Sequence, residues 1–111
     1  MKILYLTGRH GPDYLMDSVF HGLYSLLGGD VVEYPRLNYM YKPYLSDRRK
    51  VRMYGRGFTL YGNLEQDMAD REDLEAKITA RYFDWIIYGA YFIQNDYLDL
   101  VEQHYPPERV V

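Results

Sequence analysis

Residues 2–6, Lys-Ile-Leu-Tyr-Leu, form a nearly continuous apolar run rich in β formers, stopped by Thr7 and Gly8. A strand with one wet face alternates polar and apolar side chains, whereas an unbroken run suits a strand covered on both faces. The run therefore predicts a first strand at the centre of a sheet, with a packed layer on each side. A chain of 111 residues is long enough for one such domain and one hydrophobic core. It contains no cysteine, which excludes a disulfide framework, a Cys-ligated zinc or iron–sulfur site and thiol catalysis. No apolar stretch approaches the ~18 residues of a membrane span, and the run before Thr7 is too short for a signal peptide, so a soluble, cytoplasmic protein is expected.

Beyond the loop Gly8-Arg9-His10-Gly11-Pro12, Asp13 is placed to cap a helix. Its apolar residues Leu15, Met16, Val19, Phe20, Leu23, Leu26 and Leu27 recur at spacings of three and four, predicting a wide face against the sheet. Asp17, Ser18, His21, Gly22 and Ser25 form the complementary polar stripe, with a surface ion pair expected between Asp17 and His21. Gly28-Gly29 stops the helix, and residues 30–34, Asp-Val-Val-Glu-Tyr, read as a second strand ended by Pro35. A strand, a helix and a strand joined by tight turns close right-handed, with the strands parallel.

From Arg36 to about Gln66 the periodicity fails, apart from a short extended piece expected at 57–61. A second helix is expected from near Asp70, with acidic residues in its first turn, Lys77 and Arg81 late, and Leu74, Ile78 and Tyr82 on its buried stripe. Residues 83–88 read as a third strand, and Tyr97, Leu98, Leu100, Val101 and His104 as a third helix before Pro106-Pro107. Arg109-Val110-Val111 begins what reads as a fourth strand. The alternation specifies a three-layer, Rossmann-like or flavodoxin-like α/β domain with a parallel sheet of about four strands. Because the fourth strand has no following helix, the chain is expected to be the N-terminal part of a longer protein.

In such a sheet ligands bind where strand ends and helix N-termini present unpaired N–H groups, which here means Thr7, Gly8, Arg9, His10 and Gly11. GxGxxG is absent, as is the GxxxxGK[ST] phosphate loop. Thr7-Gly8 resembles a flavodoxin phosphate loop only in part, since Arg9-His10-Gly11-Pro12 stands where the hydroxyl-bearing residues belong. A phosphorylated receiver is excluded: it needs acidic residues after the first strand and an Asp at the end of the third, where this chain has Thr7-Gly8-Arg9 and Tyr88-Gly89-Ala90. The three histidines do not cluster, so no metal site and no cofactor is expected. His104 suits a helix C-terminus, and His10 is the weak catalytic candidate, with no partner identified by the sequence.

Charge is unevenly spread. Residues 36–56 hold seven cations and only Asp47, a local balance of +6, while the remaining six cations and fifteen carboxylates give −9. Arg48, Arg49, Arg52 and Arg56 lie in this tyrosine-rich insertion, where guanidinium and phenol groups together suit phosphates and stacked bases. The plainer reading pairs these arginines with the acidic residues at 70–75.

Five segments carry a family resemblance: residues 2–6, Asp13-Tyr14-Leu15, Phe20-His21-Gly22-Leu23, Leu26-Leu27-Gly28 and Val31-Val32-Glu33-Tyr34-Pro35. Together with residues 83–89, they resemble the N-terminal region of bacterial glycosyltransferase-like proteins of the two-Rossmann-domain (GT-B) type. The similarity covers about half of the chain, in framework positions. It implies a domain on the acceptor side of a cleft, inactive alone, with a nucleotide sugar held by a second domain and a saccharide acceptor as partner. Two other classes remain open: a nucleic-acid or polyanion-binding module using the basic insertion, and a structural α/β domain that self-associates. A homodimer through the C-terminal strand is expected from its open sheet edge.

Overall fold

The computed structural model describes residues 1–7, 14–44, 62, 64–89 and 96–111. Its strands are β1 (Ile3–Leu6), β2 (Val31–Tyr34) and β3 (Trp85–Tyr88), and its helices are α1 (Tyr14–Leu27), α2 (Leu74–Thr79) and α3 (Leu98–His104). The sheet is parallel, in the order β2-β1-β3, with Ile3 opposite Val31 on one side and Trp85 on the other. All four β1 residues are buried, as a central strand requires.

Alternation along β1 divides the core. Ile3 and Tyr5 join Val31 beneath α1, while Leu4, Leu6 and Val32 face Leu74 and Ile78 of α2 and Val101 of α3. Helices on both faces of a parallel sheet make a mixed α/β architecture. Among the described residues the sheet has three strands rather than about four. Val110 forms a single parallel bridge to Ile86, and the 3-10 turn Pro107–Arg109 immediately before it takes the chain out of the extended conformation.

The apolar surface of α1 is wider than the core it serves. Met16 and Phe20 are buried and Leu23 and Leu27 pack partly, but Leu15, Val19 and Leu26 stay exposed. The expected polar stripe is interrupted, because Asp17 is 1% exposed and accepts a hydrogen bond from the Tyr39 hydroxyl at 2.5 Å instead of forming a surface pair with His21. Gly28, at φ +58°, supplies the expected left-handed stop, and a 3-10 turn over Gly28–Asp30 delays β2 to Val31.

The second helix is shorter than its charge pattern suggests. An Asp70 carboxylate oxygen accepts the Glu72 N–H at 2.9 Å, and Asp73 sits in the left-handed region at φ 52°, so helical geometry begins only at Leu74. Arg81, at φ 54°, ends the turn that follows. Tyr82 is therefore off the buried stripe, 46% exposed, with the Lys2 and Lys77 ammonium groups 4.9 and 5.5 Å from its ring centroid. β3 begins later than residue 83. Phe83 is buried, and Asp84 is held against Lys2 through Asp84 N–H to Lys2 O (2.7 Å) and Lys2 N–H to Asp84 Oδ2 (2.8 Å).

The aperiodic stretch contributes to the core. Leu37, Tyr39, Met40, Tyr41 and Leu64 are buried in the α1-side cluster. Two 3-10 turns, Asn38–Met40 and Lys42–Tyr44, bring them there, and N–H donation from Leu64 to Met40 O and from Lys42 to Leu64 O (both 2.9 Å) ties the two ends of the segment. The piece expected at 57–61 lies outside the described residues.

Candidate functional site

β1 is central, β2 lies on one side of it and β3 on the other, so the chain changes direction of travel at the β1/β3 boundary. The carboxyl ends of parallel strands at such a reversal are where open α/β sheets take ligands. Leu6 and Gly89 meet there, the Gly89 N–H donating to Leu6 O at 2.8 Å. A side chain at Gly89 would not fit, since its Cβ would lie 2.8 Å from Met16 Cγ and 2.9 Å from the Tyr5 hydroxyl.

Of the residues singled out from the sequence, Thr7 is described. It is fully buried, its hydroxyl donates to Pro35 O at 2.8 Å and its N–H to Tyr34 O at 2.8 Å, so its role is to tie β1 to the end of β2. Gly8, Arg9, His10 and Gly11, and Arg48, Arg49, Arg52 and Arg56, lie outside the described residues. Two cations of the basic insertion can be placed: Lys42 pairs with Glu65, and Arg36 lies 3.7 Å from Asp67 with its guanidinium 3.8 Å over the Tyr44 ring. Their acidic partners are Asp67 and Glu65, and the pairing with 70–75 expected for Arg48, Arg49, Arg52 and Arg56 lies outside the described residues.

On the α2/α3 side of the carboxyl edge is a cleft of about 800 Å³, lined among others by Tyr34, Arg71, Asp73, Glu75, Thr79 and Tyr97. Topology accounts for these residues. Tyr34 ends β2, Asp73 and Glu75 flank the start of α2, and Tyr97 directly precedes α3. The Tyr34 and Tyr97 rings have centroids 5.7 Å apart and are tilted by 54°. Burial, followed by the neighbouring Tyr34 phenol, pushes the Tyr97 phenol above its usual range.

Arg71 forms the inner wall and is held from several sides. Nε donates to Glu33 O at 2.8 Å, Nη1 to Asp67 Oδ2 at 2.8 Å, and Nη2 is ion-paired with the Glu33 carboxylate. Glu33 is fully buried and also accepts the Tyr41 hydroxyl at 2.7 Å. Burial pushes the Arg71 guanidinium down to about 10, still protonated at neutral pH. Burial also pushes the Tyr41 phenol far up. Because Nε bonds the Glu33 carbonyl, Arg71 also covers part of the outer edge of β2.

The cleft thus offers aromatic faces, carboxylates, a hydroxyl and one fixed cation. Such groups are suited to holding and orienting a ligand; among the described residues no group of three His, Asp or Glu could hold a metal. Residue-type patterns did not reveal Tyr34, Tyr97 or Arg71. The available signal was positional: two tyrosines, one at the end of β2 and one directly before α3. No helix among the described residues is long and apolar enough to cross a membrane. Neither a family model, nor a curated protein, nor a solved structure matches the chain.

Proposed function

We propose that this chain is a Rossmann-like, acceptor-side half of a glycosyltransferase-like protein, and that the cleft at the carboxyl edge receives a saccharide acceptor. The observation that carries the reading is the Tyr34–Tyr97 pair at the mouth of that cleft, with Asp73, Glu75 and Thr79 around it. A sugar presents C–H faces that pack on aromatic rings and hydroxyls that donate to carboxylates. A shallow, open cleft with an aromatic pair and a few polar groups suits a hydrophilic ligand that stays partly in water. In the intact protein the acceptor hydroxyl would attack C1 of a nucleotide sugar, forming the new O–C1 bond and releasing its proton to water as the bond from C1 to the phosphate oxygen breaks and the nucleotide diphosphate departs. This chain's share is to hold and aim the acceptor, and turnover by the 111-residue chain alone is not expected.

The test is an NMR titration of the labelled chain with mono- and oligosaccharides, nucleotide sugars and short oligonucleotides. Saccharide-induced shifts at Tyr34, Glu75, Thr79 and Tyr97, lost in Tyr97→Ala, support the reading. No saccharide response, or oligonucleotide binding that weakens steeply with salt and leaves Tyr97 unmoved, would replace it with the polyanion-binding reading. The pairing of Arg36 and Lys42 with carboxylates weighs against that alternative.

A further inference from the structure

The outer surface of α1 is unusual for a helix in water. Its exposed residues over 15–27 are Leu15, Ser18, Val19, Gly22, Ser25 and Leu26, none of them charged. A solvated helix face normally carries charged residues opposite its apolar stripe. Leu15 is 71% exposed and Leu26 82%, on the flank away from the one that Tyr39 and Gln66 cover through Asp17 and Tyr24. Leu15, Val19 and Leu26 together expose roughly 350 Å² of apolar surface, the size of the largest patch on a typical monomer, which is often functional.

We propose that this face is the interface of a two-fold symmetric dimer in which α1 packs antiparallel against α1 of a second copy. The spacing selects that occupant. Reversing the helix about a point between Phe20 and His21 carries Leu15 onto Leu26 and Val19 onto Gly22, so the exposed stripe is its own complement. Leu15 then meets the partner's Leu26, and Val19 enters the space over the partner's Gly22. A Cβ built at Gly22 finds no atom within 4 Å, so the helix backbones can approach closely there. A parallel pair would set glycine over glycine and leave a void. The antiparallel pair also opposes the two helix dipoles. With Ser18, Gly22 and Ser25 included, pairing buries at most about 1,000 Å² in total, the low end for a specific interface, and the expected dimer is correspondingly weak, in the micromolar range.

The deciding experiment is sedimentation velocity of the full 111-residue chain from low-micromolar to several-hundred-micromolar concentration. The mass should rise from 13.3 kDa toward twice that value. Leu15→Glu and Leu26→Lys should each weaken dimerisation at least tenfold, with circular dichroism unchanged because both side chains lie at the surface. The double variant should recover the dimer, now sensitive to salt, because the carboxylate introduced on one copy would face the ammonium introduced on the other. A strict monomer at every concentration overturns the proposal. So does a dimer indifferent to Leu15→Glu, and so does failure of the double variant to rescue, which would exclude the antiparallel register.

Discussion

Replacing Arg71 by methionine keeps most of the side-chain volume and removes the charge. Glu33, fully buried, then loses its only cation among the described ion pairs, and Asp67, whose side chain is 8% exposed, is left with Arg36 at 3.7 Å. Breaking a buried pair by deleting one partner costs about 3–5 kcal/mol, because the remaining charge is uncompensated. Two features place R71M at the lower end: the Arg71 side chain is itself 18% exposed, and Glu33 keeps the Tyr41 hydroxyl at 2.7 Å. The expected loss is about 3 kcal/mol at pH 7, or a fall of about 2 M in the urea midpoint for a slope near ~1.5 kcal/mol/M. Trp85 is the only tryptophan and sits half-buried in β3, so its fluorescence reports the transition. A buried carboxylate without its cation can escape by binding a proton, so the R71M deficit should narrow as the pH falls from about 7 toward about 4. Glu33→Leu combined with R71M should cost far less than the two single changes added together. If R71M shifts the midpoint by less than about 0.3 M, the ion pair is not holding the 64–71 segment to β2, which refutes the buried-pair account.

Gly89→Ala should destabilise by about 1–3 kcal/mol, since its methyl meets Met16 and Tyr5 below 3 Å, whereas Gly22→Ala, at concentrations where the chain is monomeric, should stabilise by about 0.5–1 kcal/mol; thermal melts of both separate a crowded glycine from a merely flexible one. Burial raises the phenols of Tyr24, Tyr41 and Tyr105, so the fold is favoured while they stay protonated and loses that contribution as pH rises above the ordinary tyrosine range. Absorbance at ~295 nm should therefore show a class of tyrosines that ionises only on alkaline unfolding, and one smooth titration of all fourteen would count against it. Asp70 is held below the usual carboxylate range, first by the Glu72 N–H and then by Lys77. Its contribution is present at neutral pH and lost as the pH falls through that lowered value; a side-chain NMR titration should find its midpoint below that of an aspartate in an unstructured peptide, and a midpoint at or above the peptide value would contradict this.

The alternation of elements was legible because it rests on local signals. The apolar run of β1, the glycine stop at Gly28 and the start of β2 after an αβ turn each depend on a few neighbouring residues, and each stands close to where the pattern puts it. Periodicity does not show which part of a wide apolar arc the sheet covers, so it places Leu15 and Leu26 against a core that, of the apolar α1 residues described, only Met16 and Phe20 fully enter. Buried charge was equally hidden. Asp17 and Glu33 look like surface residues until Tyr39 and Tyr41 arrive from an aperiodic segment with hydroxyls aimed at them. The tyrosine-rich stretch read as a ligand-facing insertion, yet in its described part phenols serve as core residues that bring their own hydrogen-bond donors. The second helix failed at its start because side-chain bonding at Asp70 and left-handed backbone at Asp73 overrode a favourable charge pattern. The cleft went unread because Tyr34, Arg71 and Tyr97 come together only through the crossover connections.

The position of β1 at the middle of the sheet has a consequence for synthesis. Its second neighbour, β3, pairs Trp85 with Ile3, so 82 residues separate them along the chain. At ~5–20 residues per second, a ribosome delivers β3 roughly 4–16 s after β1. Through that interval the most apolar strand of the protein has a free edge and an unroofed Leu4/Leu6 face, since α2 and α3 are also made late. The finished domain buries all four residues of this strand, whereas the nascent chain leaves one of its edges unpaired until β3 has been made.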